Sequence, residues 1–187
     1  MNAMNLFYSA KQLASDYRLF QLRQQLAILF CLILVMPLHV SAELISGRVI
    51  AVASGDTITI LNSNNTKYKI RLSGIDAPEK AQPYGIASRK SLSDLVNGKE
   101  VDVEWLKLEK KHKRAVGKVL LNGVDINLEQ IKLGMAWFFL HYQNEQPSQD
   151  RIDYENAQIS AEEKQIGLWV DKNPTPPWEF RKQGRIN

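Results

Sequence analysis

Five short runs in the second part of this 187-residue chain alternate apolar and polar residues with a period of two, and that pattern limits the possible folds more than any other feature. Val49 and Ala51 interleave with Arg48 and Ile50, Ile58 and Ile60 with Thr57 and Thr59, and Tyr68, Ile70 and Leu72 with Lys69, Arg71 and Ser73. Asn62-Ser63-Asn64-Asn65 is a polar turn between the second and third runs, so these two are expected to form a hairpin. Val101, Val103 and Trp105 mark a fourth strand, and residues 116–121 a fifth that Asn122-Gly123 closes. Five strands of this length suit a small closed or nearly closed barrel better than an open parallel sheet.

The gaps between strands hold three helical patterns, so the expected class is mainly β with helices. The first, over 84–96, carries Ile86, Leu92, Leu95 and Val96 and ends at Asn97-Gly98. The second, over 127–133, has Asp125 or Asn127 available as its cap and Gly134 as its stop. The third, over 151–165, places Tyr154, Ala157 and Ala161 on one face and stops at Gly167. Beyond Val170, Pro174, Pro176 and Pro177 argue against a helix, and the tail is expected to lie along the surface.

Composition matters because it is uneven. Residues 1–42 contain 27 apolar residues, whereas 43–187 contain 56 in 145. Residues 26–36 form eleven consecutive apolar positions, preceded by Lys11, Arg18 and Arg23 and followed by Pro37 and a small-residue stretch ending at Ala42. This is the pattern of a secretory signal cleaved after Ala42. The alternative is an uncleaved N-terminal membrane anchor, although residues 26–40 would span only roughly 22 Å of helix against a ~30 Å hydrocarbon core. The expected organisation is therefore a signal segment at 1–42, a barrel domain at 43–169 and a tail at 170–187 that packs on or trails the domain, in a product that is periplasmic or secreted. The single cysteine, Cys31, lies in the removable segment and follows bulky Phe30, which argues against lipid attachment there. One cysteine excludes an internal disulfide and a cysteine-rich zinc site. Three of the 24 basic and one of the 20 acidic residues lie before residue 43, so the remainder carries only +2. A polyanionic partner must then be argued from local charge rather than from the total.

Local charge is suggestive at three places. Asp56 follows Ser54-Gly55 at the opening of the second strand, and Asp76 and Glu79 follow the third in Gly74-Ile75-Asp76-Ala77-Pro78-Glu79. Pairing of those strands brings Asp56 and Asp76 to one end of the barrel. Two carboxylates and a backbone carbonyl are hard oxygen ligands suited to Ca²⁺ or Mg²⁺, while the same aspartates also serve commonly as turn caps. Arg71 sits on the polar parity of its strand, where a structural ion pair is the ordinary role. Lys107, Lys110, Lys111, Lys113 and Arg114 place five cations in eight residues, either a solvated hairpin that discourages edge pairing or a phosphate-binding surface.

These segments, taken in order, resemble the staphylococcal nuclease (thermonuclease) family. The resemblance rests on Ser54-Gly55-Asp56-Thr57-Ile58, on Ile70 through Glu79, on Pro83-Tyr84-Gly85, and on Arg114-Ala115-Val116-Gly117. It continues through Gly123-Val124-Asp125-Ile126-Asn127, Gly134-Met135-Ala136-Trp137, Tyr154 with Ala157, Gly167-Leu168-Trp169 and Pro176-Pro177-Trp178-Glu179-Phe180-Arg181, covering roughly residues 44 to 181. It implies a five-stranded OB-fold barrel with three helices and a Ca²⁺-dependent monomeric nuclease that hydrolyses DNA and RNA to 3′-phosphates. By the same resemblance Asp56, Asp76 and the Ala77 carbonyl would hold calcium, Glu79 would be the general base, and Arg71 and Arg114 would bind phosphate. Lys111, His112, Lys113 and Tyr142 would contact substrate. The chain departs from the pattern at Lys110-Lys111-His112-Lys113, where Asp-x-Tyr-Gly is common, and at Leu140, where a tyrosine is expected. His112 and His141 have no spacing that suggests a metal pair. A non-catalytic OB-fold module for nucleic acid is the alternative, but such modules usually lose the carboxylates or arginines, all of which are present here.

Overall fold

The computed structural model describes residues 18, 21–25, 43–109 and 114–184. The chain divides into two units, Met1–Ser41 and Ala42–Asn187. In the first, residue 18 and residues 21–25 are helical. The apolar run 26–36, on which the choice between signal and anchor turns, lies outside the described residues. Among those described, no helix is long and apolar enough to cross a membrane.

The second unit is built on the alternation read above. Strands β1 (Glu43–Ser54), β2 (Thr57–Leu61), β3 (Lys67–Leu72), β5 (Glu100–Glu109) and β6 (Arg114–Leu121) run in the order β3-β2-β1-β5-β6, and a parallel pairing of β3 with β6 closes the ring. This is the expected five-stranded OB-fold barrel. Strand β1 serves two neighbours, pairing β5 through Glu43–Arg48 and β2 through Arg48–Ser54, with register shifts at Val49/Ala51 and Val52/Ser54 that let it bend. The β2–β3 turn is held by Asn62, whose Oδ1 accepts from the backbone N–H of Asn64 at 3.0 Å and Thr66 at 2.9 Å. Val49, Ile58, Ile60, Ile70, Leu72, Val101, Val103 and Val119 fill the interior, each 2% exposed or less. Each such burial contributes roughly 1.5–3 kcal/mol, so this set outweighs any surface ion pair.

Two short strands lie outside the expected pattern. Strand β4 (Ile75–Asp76) pairs with β8 (Trp137–Phe138), and β7 (Val124–Asp125) extends the edge beside β6. Helices α1 (Gly85–Val96), α2 (Ile126–Lys132) and α3 (Ser148–Glu163) fall where the apolar spacing puts them. Asp125 caps α2, accepting from Leu128 N–H at 3.0 Å. The tail differs from its sequence reading: Pro177–Gln183 is a helix, α4. Its proline stands at the first helical turn, where the missing N–H costs no helical hydrogen bond. Asn127 on α2 is fully buried and joins the two closing strands, donating to Ser73 O at 2.9 Å and Gly117 O at 3.3 Å and accepting from Val119 N–H at 3.1 Å.

Candidate active site

The Gly55-Asp56 turn connects β1 to β2, and its placement depends on close packing. A Cβ at Gly55 would lie 1.7 Å from Ser88 Oγ, so helix α1 approaches as only glycine permits. Gln130 of α2 is buried and donates to Gly55 O at 2.8 Å and Ser88 O at 3.2 Å, while Ser91 Oγ donates to its Oε1 at 2.7 Å. Leu72 N–H donates to Asp56 O at 2.8 Å, which fixes the turn beside the end of β3.

Asp56 is 6% exposed and its carboxylate is well supplied with donors. Oδ1 accepts from Ser54 Oγ at 2.8 Å and Thr57 Oγ1 at 2.9 Å, and Oδ2 from Ala77 N–H at 2.9 Å. Arg71, opposite Thr57 in the hairpin, lies between the two aspartates. Its Nη1 is ion-paired with Asp56 Oδ2, and its Nη2 donates to Asp76 Oδ1 at 2.8 Å. The Nη1 contact is an ion pair whose alignment falls short of a hydrogen bond. Asp76 is 1% exposed on β4, and Glu79, three residues on, is part-exposed.

A second arginine reaches the same carboxylates from the far end of the chain. Arg181 on α4 donates through Nη2 to Asp76 Oδ2 at 2.7 Å, and through Nη1 to Asp76 Oδ1 at 3.3 Å and Glu79 Oε1 at 2.8 Å. Gln82, buried in the loop after Glu79, accepts from Glu79 N–H at 3.1 Å and donates to Thr175 O just before α4. Trp178 packs its ring against Trp137 at 5.7 Å and Phe139 at 5.4 Å. Since Trp137 pairs with Asp76 across β4 and β8, α4 docks on the strand next to the one that carries the aspartate.

The electrostatics divide the two aspartates. Burial pushes the Asp56 carboxyl up, but Arg71 and the Ala77, Ser54 and Thr57 donors outweigh it and hold the group below the usual 3.8. For Asp76 burial wins despite Arg181 and Arg71, helped by the negative charge of Asp56, and its carboxyl is raised. Hydrogen bonding to Asp76 raises Arg181 above the ordinary arginine range, although burial opposes this.

Three carboxylates face two guanidinium groups, which leaves one negative charge in excess. Among the described residues no group of three or more His, Cys, Asp or Glu side chains is arranged to hold a metal ion, and the guanidinium groups of Arg71 and Arg181 lie on the carboxylate oxygens. The donor chemistry nonetheless fits a hard divalent cation: all oxygen, buried, and short of positive charge.

Residues 69–171, more than half of the chain, match the family model described as staphylococcal nuclease homologue. The chain belongs to the staphylococcal nuclease family. Its relatives include an "uncharacterized endonuclease" of Haemophilus influenzae (strain ATCC 51907 / DSM 11121 / KW20 / Rd), 44% identical over 140 residues that cover 75% of each chain. A protein of the same description from Escherichia coli O157:H7 is 37% identical over 138 residues, 73% of this chain and 85% of that one. Staphylococcal-like nuclease CAN1 of Arabidopsis thaliana is 36% identical over 119 residues, 64% of this chain but 35% of the plant protein. The protein is accordingly a nuclease, a hydrolase of phosphodiester bonds.

In this nuclease Asp56 and Asp76 meet at one end of the barrel as the hairpin argument expects, and Arg71 and Ala77 contact them directly while Glu79 joins by way of Arg181. Arg114 opens β6, and the β3–β6 register sets Val116 beside Arg71, so Arg114 lies two residues away on the same outward face. Lys111, His112 and Lys113 lie outside the described residues. Tyr142 falls in a 3₁₀ turn at Leu140–Glu145 beyond β8, rather than at the end of a strand, and His141 is exposed there. Sequence reasoning missed Arg181 and Gln82. The signal for Arg181 was present in Pro176-Pro177-Trp178-Glu179-Phe180-Arg181, in which proline at a helix start and an arginine one turn later read as a docked helix as readily as a tail.

Proposed function

We propose that the protein is an exported, Ca²⁺-dependent nuclease that cleaves DNA and RNA as a monomer and leaves 3′-phosphates. The observation that carries this reading is the meeting of Asp56, Asp76, Glu79 and Arg71 at one end of the barrel, with Arg114 on the same outward face. A phosphodiester repels nucleophiles through its anionic oxygens, and attack adds charge in a five-coordinate transition state. Arg71 and Arg114 answer this by donating to the non-bridging oxygens in the bidentate geometry of a planar fork.

Asp56, Asp76 and the Ala77 carbonyl are the residues that would hold the cation, which when bound supplies Lewis-acid stabilisation of phosphoryl charge. Glu79, part-exposed at the edge of the cluster, orients the attacking water and takes its proton. The water oxygen bonds to phosphorus while the bond to the 5′ oxygen breaks; the phosphate stays on the 3′ end, the departing 5′ oxygen takes a proton from solvent and leaves as a hydroxyl, and Glu79 returns its proton to solvent. Lys111, His112, Lys113 and Tyr142 contact the nucleotide or its phosphates. Export rests on the signal-like pattern of residues 1–42, and a secreted or periplasmic product with the mass of residues 43–187 would support cleavage after Ala42. The decisive experiment incubates the protein with single-stranded DNA and RNA in Ca²⁺ or in chelator. Cleavage that requires Ca²⁺ and yields 3′-phosphate ends is expected. Cleavage that persists in chelator would overturn the calcium mechanism.

A further inference from the structure

Of the charged side chains at the carboxylate centre, Arg181 is the one that the proposed chemistry leaves without a role, yet it donates three hydrogen bonds there. Its guanidinium takes both oxygens of Asp76 and one of Glu79. Asp56 spends its oxygens on Ser54, Thr57, Ala77 and Arg71. On Asp76, Arg181 shares Oδ1 with Arg71 and alone covers Oδ2, an oxygen that a hard cation with six to eight oxygen ligands would need.

The two arginines differ in how firmly they are held. Arg71 sits in the last pair of the β2–β3 register, opposite Thr57, with its side chain 14% exposed and paired with both Asp56 and Asp76. Arg181 is 36% exposed on a seven-residue helix. It can withdraw by side-chain rotation while Trp178 against Trp137 and Phe139, and Gln82 on Thr175, keep the helix docked. The charge follows the same logic. With both arginines in place the three carboxylates keep one net negative charge; with Arg181 withdrawn they keep two, which is the charge a divalent cation neutralises.

We infer that Arg181 is a built-in competitor of the divalent cation for Asp76 and so sets the cation affinity of the centre. This rests on the calcium reading of the site. Cation binding then exchanges one counter-charge for another, and the metal-free protein keeps its buried carboxylates paired.

Calorimetric titration of full-length, metal-stripped protein with CaCl₂, in the absence of nucleic acid, tests the inference in wild type, Arg181→Ala and Arg181→Lys, with circular dichroism verifying the fold of each. An opposing charge at this range shifts a carboxylate by roughly 1–3 pKa units, so removing it should tighten cation binding by about tenfold or more in Arg181→Ala. Arg181→Lys, which keeps the charge but cannot fork between Asp76 and Glu79, should fall between the two. Equal or weaker Ca²⁺ binding by folded Arg181→Ala would overturn the competitor role and leave the calcium reading intact. Absence of heat in all three proteins would overturn the calcium reading and this inference together.

Discussion

Two clusters of buried charge in this barrel use the same residue types and arrive at opposite ends. At the candidate active site Asp56 and Asp76 face Arg71 and Arg181. Beside α2, Asp125 caps the helix through Leu128 N–H at 3.0 Å and accepts from the Tyr154 hydroxyl at 2.8 Å, while Lys118 pairs with Asp150 at 2.6 Å. The second cluster closes on itself. The phenol of Tyr154 is fully buried, and burial together with Asp125 raises it beyond the range in which it would ionise. Burial lowers Lys118, but Asp150, Asp125 and Glu104 outweigh it and keep the ammonium charged. The hydrogen bonds to Asp125 come from a backbone amide and a hydroxyl fixed in the core, so no ligand can replace them without unfolding the helix start. At the candidate active site two of the donors are long cationic side chains, and a side chain of that kind can turn away where a backbone amide cannot. What separates the two sets of carboxylates is whether their partners can be exchanged.

Substitutions in the two clusters should therefore fail in different measurements. The largest effect is expected for Arg71→Lys, which keeps the charge but loses the fork: the cleavage rate should fall by about 10³ to 10⁵, by comparison with other phosphoryl-transfer arginines. Near-native turnover would place Arg71 with the structural ion pairs. Glu79→Gln should lower kcat by about 10² to 10⁴ with the fold preserved, as expected for loss of a general base. Asp125→Ala should leave the activity of the folded protein unchanged and cost about 2–4 kcal/mol in urea unfolding, because it strips the α2 cap and orphans a buried hydroxyl. A loss of activity without a loss of stability would erase the distinction drawn above.

The smallest effect is a difference of sign with pH in metal-free protein. Asp56 is held below 3.8 in the fold, so its contribution to stability is present above that value and is lost as pH falls through the lower, folded value. Asp125 is raised by burial, which outweighs the Leu128 and Tyr154 donors and Lys118, so stability declines as pH rises from 3.8 through the folded value. Thermal melts across this range should show Asp56→Asn flattening the acid limb and Asp125→Asn flattening the decline above it.

The barrel and the meeting of Asp56 with Asp76 were legible because both follow from a period of two and one turn. Once Thr57 pairs with Arg71, the residues just outside that pair have nowhere else to go. The pairing of β4 with β8 was not legible, because two-residue strands are too short to carry a period. Gln130 and Asn127 look like surface amides in a helical pattern, and only the three-dimensional path shows that they tie α2 to the turns and closing strands. Arg181 lies 105 positions from Asp76, a separation over which local spacing carries no information.

Two glycines fix where the end of the chain can go. Gly134 and Gly167 both have φ of +60, and a Cβ on either would meet the backbone of the other segment within 2.3 Å, at Ile166 O or Gly134 O. Leu168 N–H donates to Gly134 O at 2.9 Å across this crossing. The ring of strands is complete at Leu121, but the chain must still pass this backbone crossing before Arg181 reaches Asp76. Synthesis from the N-terminus thus delivers the two aspartates and Arg71 well before Arg181, whose place at the centre lies beyond the glycine crossing along the chain.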